Sequence, residues 1–272
     1  RAGDVVVRVT STGRNPRRAA VVRVYTTVTI GCDGSVGLKT SFDVAPWVPA
    51  LPRVGLRLRV PKTLSRTTWL GLGPHETYPD RKLGATFGVH EGDALRDQYV
   101  PYIRPQESGA HTDTRWCMVS SSQGRAAGAG FAVASGNGQP FQYSFTPFSD
   151  ETIAGALHDV ELPYPDVNDK EGAGPGLELH VDSESLGLGG DDSWSPRVHA
   201  EYVVDQHRTW GRFWGYYCRG GRLRIQRSGS SATDNSTDHP TDVPYSYEVR
   251  LSPLAGRSVD DFVLRRRAAA GI

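Results

Sequence analysis

No stretch of this 272-residue sequence approaches the ~20 consecutive apolar residues that a membrane-spanning helix needs. Charge of neither sign is in excess. Lys and Arg number 31 against 30 Asp and Glu, a formal net charge of +1, so nothing argues for nucleic acid or a membrane surface as a partner. Cysteine is scarce and odd in number: Cys32, Cys117 and Cys218 lie far apart. They make no disulfide framework and show no metal-ligand spacing, so buried or incidental thiols in a reducing compartment are expected, and with them a cytoplasmic location. No signal peptide is visible, but the sequence opens on Arg1 and not on Met, which leaves the natural amino terminus open. Long runs of good helix formers are missing too. What is abundant is Gly (31) and Pro (18), the composition of many short strands joined by turns.

The strands announce themselves by alternation. "DVVVRVT" (4–10) and "AVVRVYTTVTI" (20–30) are β-branched, and "GCDGS" before "VGLKTSF" carries the glycines of a hairpin turn. "PWVPALP" (46–52) cannot be a central strand, because proline lacks the N–H. "RVGLRLRV" (53–60) puts Val54, Leu56, Leu58 and Val60 on one face and Arg53, Arg57 and Arg59 on the other. Further strands are expected at 67–72, 114–120, 129–135, 141–148, 177–189, 198–204 and 244–254, with Phe141, Tyr143 and Phe145 sharing a face. One helix is expected in "SDETIAGALHDVEL", capped by Ser149 or Asp150, with Ile153, Ala156, Leu157 and Val160 as its apolar stripe. Residues 205–242 turn rich in Arg, Trp and Gly, then in Ser, Thr and Asp, the composition of an atypical, disordered insertion. Residues 1–254 are thus expected to form one β domain and 255–272 a tail.

"LPRVGLRLRVP" (51–61), "WLGLGPHETYPDRK" (69–82), "YVPYIRPQESGAHTDTRW" (99–116), "FSDETIAGALHDVEL" (148–162) and "LGLGGDDSWSP" (186–196) occur in one order. In that order they resemble the C-terminal domain, or small chain, of the β-galactosidases of glycoside hydrolase family 2. The resemblance implies a large antiparallel β super-sandwich of the galactose-mutarotase type with one short helix. It implies that the loop Gly189, Gly190, Asp191, Asp192, Ser193, Trp194, Pro196 reaches the active site of a separate (β/α)8 barrel, where Trp194 is a platform for the galactoside. An indole plane suits the C–H face of a pyranose, and such stacking contributes on the order of 1 kcal/mol beyond burial. The glycines open the turn, Asp191 and Ser193 can accept local N–H bonds, and Pro196 stiffens the exit.

His75, Glu76, Arg104, Glu107, Asp113 and Arg115 invite a rival reading. His75 with Glu107 could be the acid–base pair of a stand-alone mutarotase, epimerase or sugar-binding protein. The preferred reading is a satisfied polar network that pins loops to the sandwich. No catalytic residue is expected in this chain. Retaining glycoside hydrolysis needs two carboxylates ~5–5.5 Å apart, and Asp191 and Asp192 are adjacent and diverge. The resemblance puts the hydrolytic glutamates, with the family's Mg²⁺ and Na⁺ sites, in the barrel, so no cofactor is expected here. The implied partners are that barrel domain or large subunit and the galactoside, in an assembly that is oligomeric when complete. Residues 205–242, and Ala110 and His111 where the family carries Asn and a basic residue, depart from the pattern.

Overall fold

Alternating β-branched and polar residues build twelve strands in the computed structural model, which describes residues 3–17, 20–45, 48, 51–121, 128–166, 176–188, 202, 204 and 245–254. They are β1 (Val5–Arg14), β2 (Ala20–Ile30), β3 (Val36–Val44), β4 (Arg53–Val60), β5 (Arg66–Gly73), β6 (Thr86–Asp93), β7 (Ala110–Thr114), β8 (Trp116–Ser120), β9 (Gly130–Ser135), β10 (Phe141–Thr146), β11 (Leu177–Ser185) and β12 (Tyr245–Pro253). An eight-stranded sheet runs β1-β2-β3-β12-β9-β8-β5-β6, and a four-stranded sheet runs β4-β11-β10-β7. Neighbours pair antiparallel throughout, so the chain is an all-β sandwich.

The core fills the space between the sheets. Trp69, Cys117, Val119, Val133 and Val249 enter it from the wide sheet, and Val54, Val60, Tyr143, Phe145, Leu177, Leu179 and Val181 from the narrow one. Each fully buried aliphatic side chain contributes roughly 1.5–3 kcal/mol. Leu56 and Leu58 pack against the same cluster, so β4 faces the way its alternation dictates. The turn "GCDGS" closes the β2–β3 hairpin: Gly31 N–H donates to the Ser35 carbonyl at 2.8 Å, and Gly34 takes φ 77°. Among the described residues no helix is long and apolar enough to cross a membrane.

Two local expectations need correction, and one strand was not expected. The run 114–120 is not one strand. It breaks at Arg115, and the chain passes there from β7 in the narrow sheet to β8 in the wide one. Asp113, just before the break, adopts φ 55°, a conformation that Asp tolerates better than most residues. Strand β6 was not foreshadowed by any alternation, because "TFGVHEGD" mixes two glycines with a half-exposed edge. The helix α1 spans only Asp150–Gly155. Ser149 is its cap, accepting from Thr152 N–H at 3.1 Å. Ala156 leaves helical angles (φ −94°, ψ 137°), and the Leu157 N–H turns to the Glu161 carboxylate at 2.8 Å. The stripe therefore splits. Ile153 and Ala156 pack on Tyr99, Phe148 and Leu162, while Leu157 and Val160 are 67% and 89% exposed.

Candidate functional site

The loop Gly189–Pro196, with Trp194, lies outside the described residues, and only its base is described. Beyond β11, Leu186 N–H donates to the Pro52 carbonyl at 2.9 Å. Gly187 N–H donates to the Tyr202 carbonyl at 3.0 Å, and Leu51 N–H to the Val204 carbonyl at 2.9 Å. The chain thus leaves at Gly187 and returns at Tyr202, both limbs tied beside the first residue of β4. Gly187 cannot carry a side chain there, since a Cβ would stand 2.5 Å from Asp80 Oδ2.

Under that base sits a polar cluster. Arg53, the first residue of β4, pairs with Glu107 and stands 3.5 Å from Asp182 of β11. Tyr78 OH donates to Glu107 at 3.3 Å. Burial pushes the Tyr78 phenol well above its usual range and raises Glu107 in spite of the Arg53 guanidinium. It pushes Asp182 up to about 7. Arg53 stands 3.5 Å off, and Asp182 Oδ1 meets no donor among the described residues, so desolvation outweighs the attraction. Burial also works against the charge on Arg53, but Asp182 and Glu107 more than offset it.

A second cluster ties the segment after β5 to the segment before β7. Glu76 accepts from Gly109 N–H at 2.7 Å, from Tyr102 OH and from Arg81. A third contact is Lys82 with Asp113 at 2.8 Å. The candidate residues are therefore divided. Glu76, Glu107 and Asp113 each hold a different partner, whereas His75, Arg104 and Arg115 are exposed and make no ion pair among the described residues. His75 and Glu107 are not joined, because both Glu107 oxygens are engaged by Arg53 and Tyr78. His111 is buried against Trp69, the two rings tilted by 33° with centroids 4.1 Å apart. Its Nε2 meets Gln98 Oε1 at 3.0 Å, and burial drives its pKa to about 3.

Arg53, Tyr78, Arg81, Lys82, Tyr102 and Asp182 complete these clusters; of these only Arg81, which with Asp80 shares "GPHETYPDR" with His75 and Glu76, stood out in the sequence. A signal was present for some of them. "RVGLRLRV" and "LELHVDSE" alternate with complementary charge, and their register sets Glu178 opposite Arg59 and His180 opposite Arg57. Glu178 is buried between Arg57 at 2.7 Å and Arg59 at 3.1 Å, while the two arginines themselves stay exposed. No three metal-ligating side chains gather among the described residues.

The family model for the β-galactosidase small chain matches residues 2–213. A β-galactosidase of Priestia megaterium (strain DSM 319 / IMG 1521) is 32% identical over 187 residues, 68% of this chain and 16% of that protein. One of Vibrio vulnificus (strain YJ016) is 35% identical over 182 residues, 66% and 15% respectively. One of Lactobacillus delbrueckii subsp. bulgaricus is 34% identical over 185 residues, 67% and 17% respectively. The chain thus spans 15–17% of the length of these relatives.

Proposed function

Since the chain belongs to the family of the β-galactosidase small chain, we propose that it completes the galactoside site of a β-galactosidase whose cleavage machinery lies in a separate barrel. The match over residues 2–213, which takes in the whole "GDDSW" loop, carries this reading. The tied base at Gly187–Tyr202 supports it, because a loop that must present one indole to a neighbour needs a fixed origin. Trp194 is the sugar platform, and the barrel supplies both hydrolytic carboxylates together with any Mg²⁺ or Na⁺. The chain's own residues bind and orient, and no bond is broken by them. The complete enzyme is a cytoplasmic oligomer acting on terminal β-D-galactosides such as lactose. A free-standing mutarotase is not favoured, since His75 is exposed and apart from Glu107.

The test is Trp194→Ala in the complete enzyme with a chromogenic β-galactoside. Losing a stack of about 1 kcal/mol should weaken substrate binding roughly fivefold, while Trp194→Phe keeps part of it. An unchanged KM and kcat in Trp194→Ala would remove the platform from the account.

A further inference from the structure

The two sheets differ in width, and the wide one overhangs. Residues opposed across antiparallel strands share a face, so the register defines rows running inward from the edge: Val7–Val28–Leu38–Val249 and Val9–Thr26–Thr40–Tyr247. The inner ends of both rows lie in the core, where Val249, Tyr247 and Thr40 are buried and Leu38 packs against them. The outer ends are bare. Val7 is 44% exposed and Val9 47%, and in the adjoining row Val5 is 57% and its partner Ile30 43% exposed. The opposite face of the same strands is mixed: Val6, 52% exposed, and Tyr25 lie there beside Arg8, Thr10 and Thr12 on β1, Arg23 and Thr27 on β2, and Lys39 and Asp43 on β3. The core-facing side thus stays free of charge out to the last strand, where its valines are exposed and no longer belong to the core between the sheets. β1 is also an edge strand of 10 residues whose outer ladder pairs with no other strand among the described residues. Its core-facing side, Val5, Val7, Val9, Ser11 and Gly13, has neither a charge nor a proline to guard it.

We infer that this overhang is the surface on which the chain docks against the barrel-bearing remainder of its β-galactosidase. The inference rests on the reading under Proposed function, in which such a remainder exists. The relatives give that occupant its size, since the matched region is only 15–17% of them. The chemistry gives its surface. A face continuous with a core and free of charge suits a permanent, apolar interface. It does not suit a second copy paired edge to edge through β1, because that pairing would extend the sheet and leave the valine face bare on both sides.

The test places a photo-crosslinking residue at Val7, and separately at Val9, in the complete enzyme and identifies the captured peptide. Capture of peptides from outside residues 1–272 is the expected result. Capture from within residues 1–272, whether from the same chain or a second copy, overturns the proposal, and so does the absence of any protein adduct. Val7→Lys with Val9→Lys should raise the concentration needed for the parts to associate at least tenfold. Val6→Lys, on the opposite face of the same strand, should change it less than twofold. Galactoside hydrolysis by the same preparations keeps the two readings apart. An active enzyme whose position 7 captures nothing sinks the docking surface alone, and an inactive one with capture outside the chain sinks the glycosidase reading.

Discussion

At Gly55 a methyl group would stand 2.3 Å from Asp182 Oδ1 and 2.4 Å from the Val181 carbonyl, so this glycine is a packing requirement of the β4–β11 pair. Gly55→Ala should lower stability by about 1–3 kcal/mol, the usual cost of overpacking, read as a fall in the thermal midpoint. The neighbouring carboxylate makes a second, pH-dependent prediction. Asp182 has a folded pKa of about 7 against about 4 when unfolded. Its contribution to stability is therefore full below about pH 4 and lost as pH rises through about 7. His111 works the other way, with a folded pKa of about 3 against about 6.5 unfolded. Its contribution is full above about pH 6.5 and lost as pH falls through about 3. In Asp182→Asn the His111 slope is unopposed, so the urea midpoint should climb more steeply between about pH 4 and 6.5 and stop declining towards 7. Identical pH profiles in the two proteins would remove Asp182 as the titrating group. None of this was legible residue by residue. Alternation placed Arg53 on the outward side of its strand, but which residues cover that side is a long-range fact that no local pattern encodes.

The loops and the short helix carry the next prediction. Glu76 serves Gly109 N–H, Tyr102 OH and Arg81 at once. Glu76→Ala strands a buried N–H and should cost about 1–3 kcal/mol, whereas Arg104→Ala, at an exposed site, should leave the midpoint within experimental error. Equal effects would mean that the segments before β6 and before β7 are held together by something other than Glu76. Ser149→Ala removes the only side-chain cap of α1 and should cost about 1 kcal/mol, while Val160→Ser should cost nothing measurable because Val160 is 89% exposed. The helix start was legible from Ser149 and the acids that follow it. Its end was not, because Ala156, Leu157 and Val160 continue a helical period that the chain abandons after Gly155. Among strands, β2 and β4 matched their sequence patterns at both ends. β6 and the β7–β8 break did not, because glycine and a positive φ at Asp113 carry no periodic signal.

At the scale of the molecule, strand order matters more than strand position in the sequence. β12 arises far beyond β11 in the chain, yet it sits between β3 and β9 at the middle of the wide sheet. It pairs with β3 from Tyr245–Phe42 to Leu251–Val36 and with β9 from Val249–Ser135 to Pro253–Phe131. Val249 and Tyr247 bring the core side of that seam. Alternation identified 244–254 as a strand, but its central place depends on non-local pairing and could not be read from it. The two ends of the described chain therefore differ in consequence. A chain ending before Tyr245 loses both ladders, and its wide sheet is left as a three-strand and a four-strand piece that no described strand ladder joins. It should lose its cooperative melting transition and be digested rapidly by protease. A chain beginning after Arg14 loses only edge strand β1, which adds nothing to the central cluster, and should melt cooperatively with a midpoint lowered by a few degrees. If both truncations melt alike, the wide sheet is not organised around β12. If the β1 deletion folds but no longer joins the barrel-bearing part, then strand β1 is dispensable for this fold and required for its assembly, as the overhanging valines demand.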